Sequence, residues 1–276
     1  MNDRKNSGTP KDSHYARLRR AHREQAGSGQ RPATDLPEGV VRLYGLHTVR
    51  AALDNPSRTI RRMLVTRNAA QRLEIGDLSA LPFPADLVEP KAIDRLVGAD
   101  AVHQGVLIEA EARSPKPLSA LGDASLVLVL DQVTDPHNVG AIIRSAVAFG
   151  ADALVTTARH SPAESGVLAK AASGALEHID HIEVRNLANA LEELHEAGFL
   201  TVGLDSEGPQ LLEDSLEGGK IALVLGAEGK GLRQKTRETV RALARLDMPG
   251  AIRSLNVSNA AAVTLYIARK RLAGGS

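Results

Sequence analysis

The side chains best suited to chemistry in this chain gather in three short stretches, each joining an apolar run to the start of a helical pattern. The first, LVLVLDQVTDPHNVGAIIRSA at 126–146, carries Asn138 and Arg144. The second, IALVLGAEGKGL at 221–232, carries Glu228 among Gly226, Gly229 and Gly231. The third, LDMPGAIRSLNVS at 246–258, presents Ser254 and Asn256 after a Pro249-Gly250 turn, alongside Leu246, Met248 and Leu255. A strand-to-helix turn with small polar residues brings free backbone N–H groups and hydroxyl and amide dipoles to one point. The third stretch therefore predicts the floor of a small-molecule pocket, with Ser254 as the cap of the last helix; an ordinary α/β connection explains that stretch alone equally well. Arg144 lies off the apolar face formed by Val139, Ile142, Ile143, Ala146 and Phe149, where a solvated arginine is the plain expectation. The glycines allow a backbone to approach a ligand closely. GAEGKG nevertheless lacks the GxGxxG spacing and the Walker lysine followed by Ser or Thr, which argues against a dinucleotide or phosphate cradle.

In order and spacing the three stretches resemble the motifs of the SpoU (TrmH) family within the SPOUT RNA methyltransferases. GLHTVRAAL near the start of the preceding region and HQGVLIEA near its end resemble the RNA-binding domain of the branch that methylates a guanosine ribose of 23S rRNA. The resemblance implies a C-terminal doubly wound parallel sheet with a deep trefoil knot, and a small N-terminal α/β domain of the L30e-like kind. It implies S-adenosyl-L-methionine as cofactor, held around Gly226, Leu246, Met248 and Leu255, and transfer of its methyl group to a ribose 2′-hydroxyl without a metal. Arg144 and Asn138 fall where the family has its catalytic arginine and motif asparagine, with Glu228, Ser254 and Asn256 completing the catalytic set. A homodimer with shared active sites is implied as well. The chain departs from the family at Asp247, where proline is frequent, and at Ile267, where the last helix often has glutamate. The same chemistry on tRNA or another rRNA nucleotide, a non-catalytic RNA-binding role and a nicotinamide dehydrogenase are the rival readings, the last opposed by the missing fingerprint.

Several elements must position these residues. LVLVLD and IALVLG are continuous apolar runs, as expected of strands buried on both faces of a parallel sheet. Further strands are expected in AVAFGADALVTT, HIDHIEV and GFLTVGLD, with helices near 138–149, 163–173, 186–197 and 232–240. The ligand would then lie beyond the carboxyl ends of the strands. Residues 40–112 alternate helical and strand patterns and predict a small three-layer domain; His103, Gln104 and Gly105 before its last strand read either as a structural turn or as an RNA contact. Residues 113–124, with two prolines, are the expected linker to a catalytic domain at 125–276. Residues 1–39 form a basic arm expected to be disordered, with eight Lys/Arg against three Asp/Glu in residues 1–32. The absence of cysteine excludes a disulfide framework and a thiol nucleophile. Neither a secretory signal nor a run of roughly 20 apolar residues is evident, so a cytoplasmic protein without a membrane segment is expected.

Overall fold

The computed structural model describes residues 36–274; the expectation for the basic arm lies mostly outside them. Two sheets organise the chain. The first contains β1 (Val40–Tyr44), β2 (Ile60–Val65), β3 (Ala85–Leu87) and β4 (Val106–Glu111) in the order β1-β4-β2-β3. Helices α1 (Leu46–Asp54) and α2 (Arg67–Arg72) cover one face, and α3 (Pro90–Val97) covers the other. The sequence pattern predicts a helix over residues 68–78, but the helix stops at Arg72, because Leu73 closes it and Glu74 takes a φ of 57°.

The second sheet has seven parallel strands in the order β7-β6-β5-β10-β8-β11-β9. They are β5 (Leu126–Asp131), β6 (Ala153–Thr157), β7 (Asp180–Val184), β8 (Leu200–Leu204), β9 (Gln210–Leu211), β10 (Ile221–Gly226) and β11 (Ala242–Arg245). Helices α4 (Pro136–Ala148), α5 (Gly166–Ala172), the single turn α7 (Leu212–Ser215) and α9 (Val257–Gly274) pack on one face, while α6 (Leu187–Glu196) and α8 (Gln234–Thr239) lie on the other. LVLVLD alternates between the two cores: Leu126, Leu128 and Leu130 enter one, Val127 and Val129 the other. This double burial is why the run shows no polar residue before Asp131. The two-residue β9 and the single turn of α7 were absent from the sequence expectations, being too short to show a period.

The two sheets are joined by more than the connecting chain. Ala169 of α5 is fully buried in the core beneath the first sheet, and the Thr48 hydroxyl donates to its carbonyl at 3.1 Å. A Cβ at Gly166 would lie 2.3 Å from the Tyr44 ring, so only glycine permits this approach. Turn residues His103 to Gly105 make internal bonds, with His103 buried and Gln104 exposed. His103 Nε2 lies 3.0 Å from Asp94 Oδ1, and its Nδ1 accepts from the Gly105 amide at 3.0 Å. Gln104 Oε1 accepts from the Leu46 amide that opens α1 and from Lys170 Nζ of α5. These bonds give the turn a structural role.

Arg58 is the centre of the junction. Its side chain is 1% exposed and pairs with Glu164 at 2.8 Å and with Glu177 at 2.5 Å. It also donates to the Glu111 carbonyl, while Asn55 donates to Glu177 at 2.6 Å. Burial alone would lower the pKa of this guanidinium, but the hydrogen bond to Glu177 and the charge of Glu164 leave it raised. Removing one partner of a buried ion pair leaves the other charge desolvated. Arg58→Ala should therefore destabilise the protein by about 3–5 kcal/mol in denaturant unfolding, with Glu177→Gln milder; an unchanged unfolding midpoint for Arg58→Ala would show that the junction adds nothing to stability.

Candidate active site

β5 and β10 are neighbours, and Asp131 and Gly226 face each other at their carboxyl ends. Chain direction away from the sheet reverses at this point, since β6 and β7 extend to one side of β5 and β10, β8, β11 and β9 to the other. Such a switch point leaves a crevice where connections from adjacent strands diverge.

The carboxylate of Asp131 is fully buried. It accepts from the Arg233 backbone amide at 3.0 Å and from Arg233 Nε at 2.6 Å. The strand end thus holds the far limb of the glycine-rich loop. Between these anchors the loop folds back on itself, with the Gly231 amide donating to the Ala227 carbonyl at 2.8 Å. Gly229 and Gly231 adopt φ values of 77° and 64°, which favour glycine. A Cβ on Gly226 would stand 2.1 Å from the Gly231 carbonyl carbon. Gly226 is thus needed first for the loop to pack on its own strand, a closer constraint than access for a ligand.

The third stretch ends where α9 begins. Asn256, rather than Ser254, caps this helix: its Oδ1 accepts from the Ser258 amide at 2.8 Å and from the Ser258 hydroxyl at 2.6 Å. Ser254 lies two residues earlier in an exposed extended segment, too far upstream to reach the first helical amides. The Asn256 side-chain NH2 donates to Asn138 Oδ1 at 3.1 Å, and Asn138 Nδ2 donates to Glu228 Oε2 at 3.4 Å. One residue from each stretch thereby enters a single hydrogen-bonded chain. Asn138 is delivered by α4, whose first turn is fixed by Pro136 and by Asp135 accepting from the His137 amide at 3.1 Å.

This chain of amides and carboxylate separates two cavities. The first, of about 520 Å³, has apolar walls from Leu225, Leu246, Met248 and Leu255, and Gly226, Glu228, Ser254 and Asn256 also line it. Asp205, Ser206 and Arg253 complete its polar surface. These three escaped the sequence reading. Asp205 and Ser206 follow the apolar strand β8 at its carboxyl end, which was the available signal. The second cavity, of about 500 Å³, shares Ala227, Glu228 and Val257 with the first and adds Asn138, His160 and Lys230. Arg144 is exposed and lines neither cavity, so within one chain the structure does not bring it to the other four polar residues. Beside it, α9 exposes Val263 and Tyr266 at 42% and 51%. Among the described residues no group of three or more His, Cys, Asp or Glu side chains is arranged to hold a metal ion.

Residues 125–266 match the SpoU rRNA Methylase family, and residues 42–116 match a domain described as RNA 2'-O ribose methyltransferase substrate binding. The chain belongs to the SpoU rRNA methylase family. It is 40% identical to the 23S rRNA (guanosine-2'-O-)-methyltransferase RlmB of Ralstonia nicotianae, across 81% of this chain and 93% of that protein. Identity to the corresponding enzyme of Pseudomonas putida is 36%, across 82% and 94% of the two chains. The fold is similar to that of the SpoU methyltransferase AviRb from Streptomyces viridochromogenes in complex with AdoMet, with a TM-score of 0.73, 23% identity and coverage of 86% and 92%. An AdoMet-bound rRNA methyltransferase from Sinorhizobium meliloti superposes with a TM-score of 0.70 at 22% identity, covering 92% and 91%.

The loop geometry makes Gly226 sensitive to a single methyl group. Gly226→Ala should cost about 1–3 kcal/mol, as overpacked sites do, and should speed amide exchange across residues 227–231. Exchange and unfolding indistinguishable from wild type would show that the loop does not rest on this contact.

Proposed function

We propose that this protein transfers a methyl group from S-adenosyl-L-methionine to the 2′-hydroxyl of a guanosine in 23S rRNA. The observation that carries the reading is the Asn256–Asn138–Glu228 chain, which joins the three family stretches at the partition between two cavities. Family membership and the extended identity to 23S rRNA guanosine methyltransferases support the substrate.

The first cavity fits the cofactor in chemistry and size. Leu225, Leu246 and Leu255 offer apolar surface to an adenine, and the carboxylate of Glu228 suits a cationic ligand, that of Asp205 being paired with Arg237. Its volume lies within the roughly 300–1,000 Å³ of small-molecule sites. S-adenosyl-L-methionine supplies an electrophilic methyl group when bound. The chain's task is then to align a ribose hydroxyl and to help its proton leave, since the neutral hydroxyl is a poor nucleophile. Glu228 and Asn138 stand where the ribose would pass between cavities, and Asn256 holds Asn138 in place. Ser254 orders the segment below the cofactor. Arg144 stabilises the developing alkoxide electrostatically, its planar guanidinium presenting a fork of N–H donors to the oxygen.

The position of Arg144 outside both cavities supports a homodimer in which it serves the partner's site. The exposed Val263 and Tyr266 on the adjoining helix supply apolar surface for the two-fold contact. Insertion of β10 between β5 and β8, and of β11 between β8 and β9, supports a deep trefoil knot in the C-terminal domain. Residues 125–276 carry catalysis, residues 40–112 form an L30e-like unit that recruits RNA, residues 113–124 link them, and the basic arm at 1–39 adds affinity for phosphates. The enzyme works in the cytoplasm without a metal; no helix among the described residues is long and apolar enough to cross a membrane.

Mapping 2′-O-methylation on 23S rRNA from cells lacking the protein tests the activity, and one missing guanosine modification is the expected result. Arg144→Ala should reduce transfer by at least tenfold while S-adenosyl-L-methionine binding by calorimetry stays within a few-fold, about 1 kcal/mol or less. Mixing Arg144→Ala chains with Glu228→Gln chains should restore one working site per heterodimer. Heterodimers without activity, or an active monomer in sedimentation, would rule out the shared site.

A further inference from the structure

We infer that the second cavity takes the target nucleotide itself, with Lys230 contacting its phosphate and His160 stacking on its base. The inference rests on the methyl-transfer reading and assigns the substrate side of that site to two residues outside the family stretches' catalytic set. Three observations lead to it.

The first is adjacency. Glu228, Ala227 and Val257 line both cavities, so the two spaces meet across the partition made by Glu228 and Asn138. In-line displacement requires a nucleophile and a methyl donor on opposite sides of the same point. With the cofactor on one side, the ribose must enter from the other. At about 500 Å³ the second cavity has room for a nucleotide-sized ligand.

The second is charge. Lys230 is exposed and sits on the same glycine-rich loop as Glu228, which faces both cavities. A loop held at one end by the Gly226 contact and at the other by the bond from Arg233 to Asp131 fixes the backbone that carries Lys230. An ammonium group on a flexible stem is a phosphate partner of the point-charge kind.

The third is the ring. Unpaired RNA bases are usually held by stacking on Phe, Tyr, Trp, His or an arginine plane. This chain has no tryptophan and only three phenylalanines and three tyrosines, and none of those among the described residues lines the second cavity. His160 is the planar ring that does, carried by the loop between β6 and α5. Gln132, which also lines the cavity, takes a φ of 63° directly after β5, an uncommon conformation for a residue with a side chain. Backbone held in such a conformation is frequent where a site must be shaped for a ligand.

The test is steady-state methylation of a 23S rRNA fragment by the full-length protein, with S-adenosyl-L-methionine saturating and its affinity measured separately by calorimetry. Lys230→Gln should raise the KM for RNA several-fold and reduce the salt dependence of RNA affinity by about one phosphate contact. His160→Ala should lower kcat/KM about tenfold, the low end of the effect of losing one stacked base. His160→Phe should recover most of that loss and His160→Gln should not, a contrast that a general disturbance of the loop would not produce. Cofactor affinity should stay within twofold in all four variants. Unchanged RNA kinetics in Lys230→Gln and His160→Ala, or rescue by Gln in place of Phe, would overturn the assignment while leaving the methyltransferase reading intact. A wild-type protein with no transfer to the fragment or to intact 23S rRNA would overturn both.

Discussion

A single buried carboxylate holds the site together. Asp131 ends the strand that begins the second sheet, and it is shielded from water on all sides. A charge in that position is tolerated only when fully paired, and both partners come from Arg233, about a hundred residues further along the chain. The pairing therefore fixes the return of the glycine-rich loop relative to β5. Because the same loop carries Glu228, the partition between the cavities inherits its position from this pair. Asn138 and Asn256 then add the first and third stretches to it through ordinary amide hydrogen bonds.

Much of this was legible in the residues. The unbroken apolar runs announced a sheet buried on both faces, and the three polar turns at their ends marked where a ligand would sit. Asn256 was singled out, but its use as a helix cap was not, because Ser254 and Asn256 are both good capping residues and spacing alone does not separate them. Contacts between distant segments were less legible still. Asp131 looked like the last residue of a strand, since nothing local shows that Arg233 will return to it. Asp205 and Ser206 ended a strand pattern without any motif around them. The HQG turn illustrates the opposite case: its polar residues suggested a surface role, yet His103 bonds Asp94 and the Gly105 amide, and the exposed Gln104 ties the start of α1 to Lys170 of α5.

The two departures from the family pattern also acquire physical meaning. Ile267 packs against the main core from α9, so apolar contact stands where the resemblance leads one to expect a glutamate. Asp247 is exposed in the segment after β11, where it alters the charge at the edge of the first cavity without entering the hydrogen-bonded chain. Arg144 presents the reverse situation. It satisfies the family pattern in sequence, yet its own chain leaves it facing outward from the helix that delivers Asn138.

Glu164 lies on the loop that carries His160, four residues further on, and it is also half of the junction between the two sheets. It pairs with the buried Arg58 and accepts from the Arg113 amide at 2.7 Å. The first sheet cannot tilt away from the second without stranding this carboxylate among groups that no longer neutralise it. Any load placed on the N-terminal unit is consequently borne by a strut that ends at the rim of the second cavity. The protein behaves in this respect as a calliper, whose jaw spacing and bite are set by the same screw.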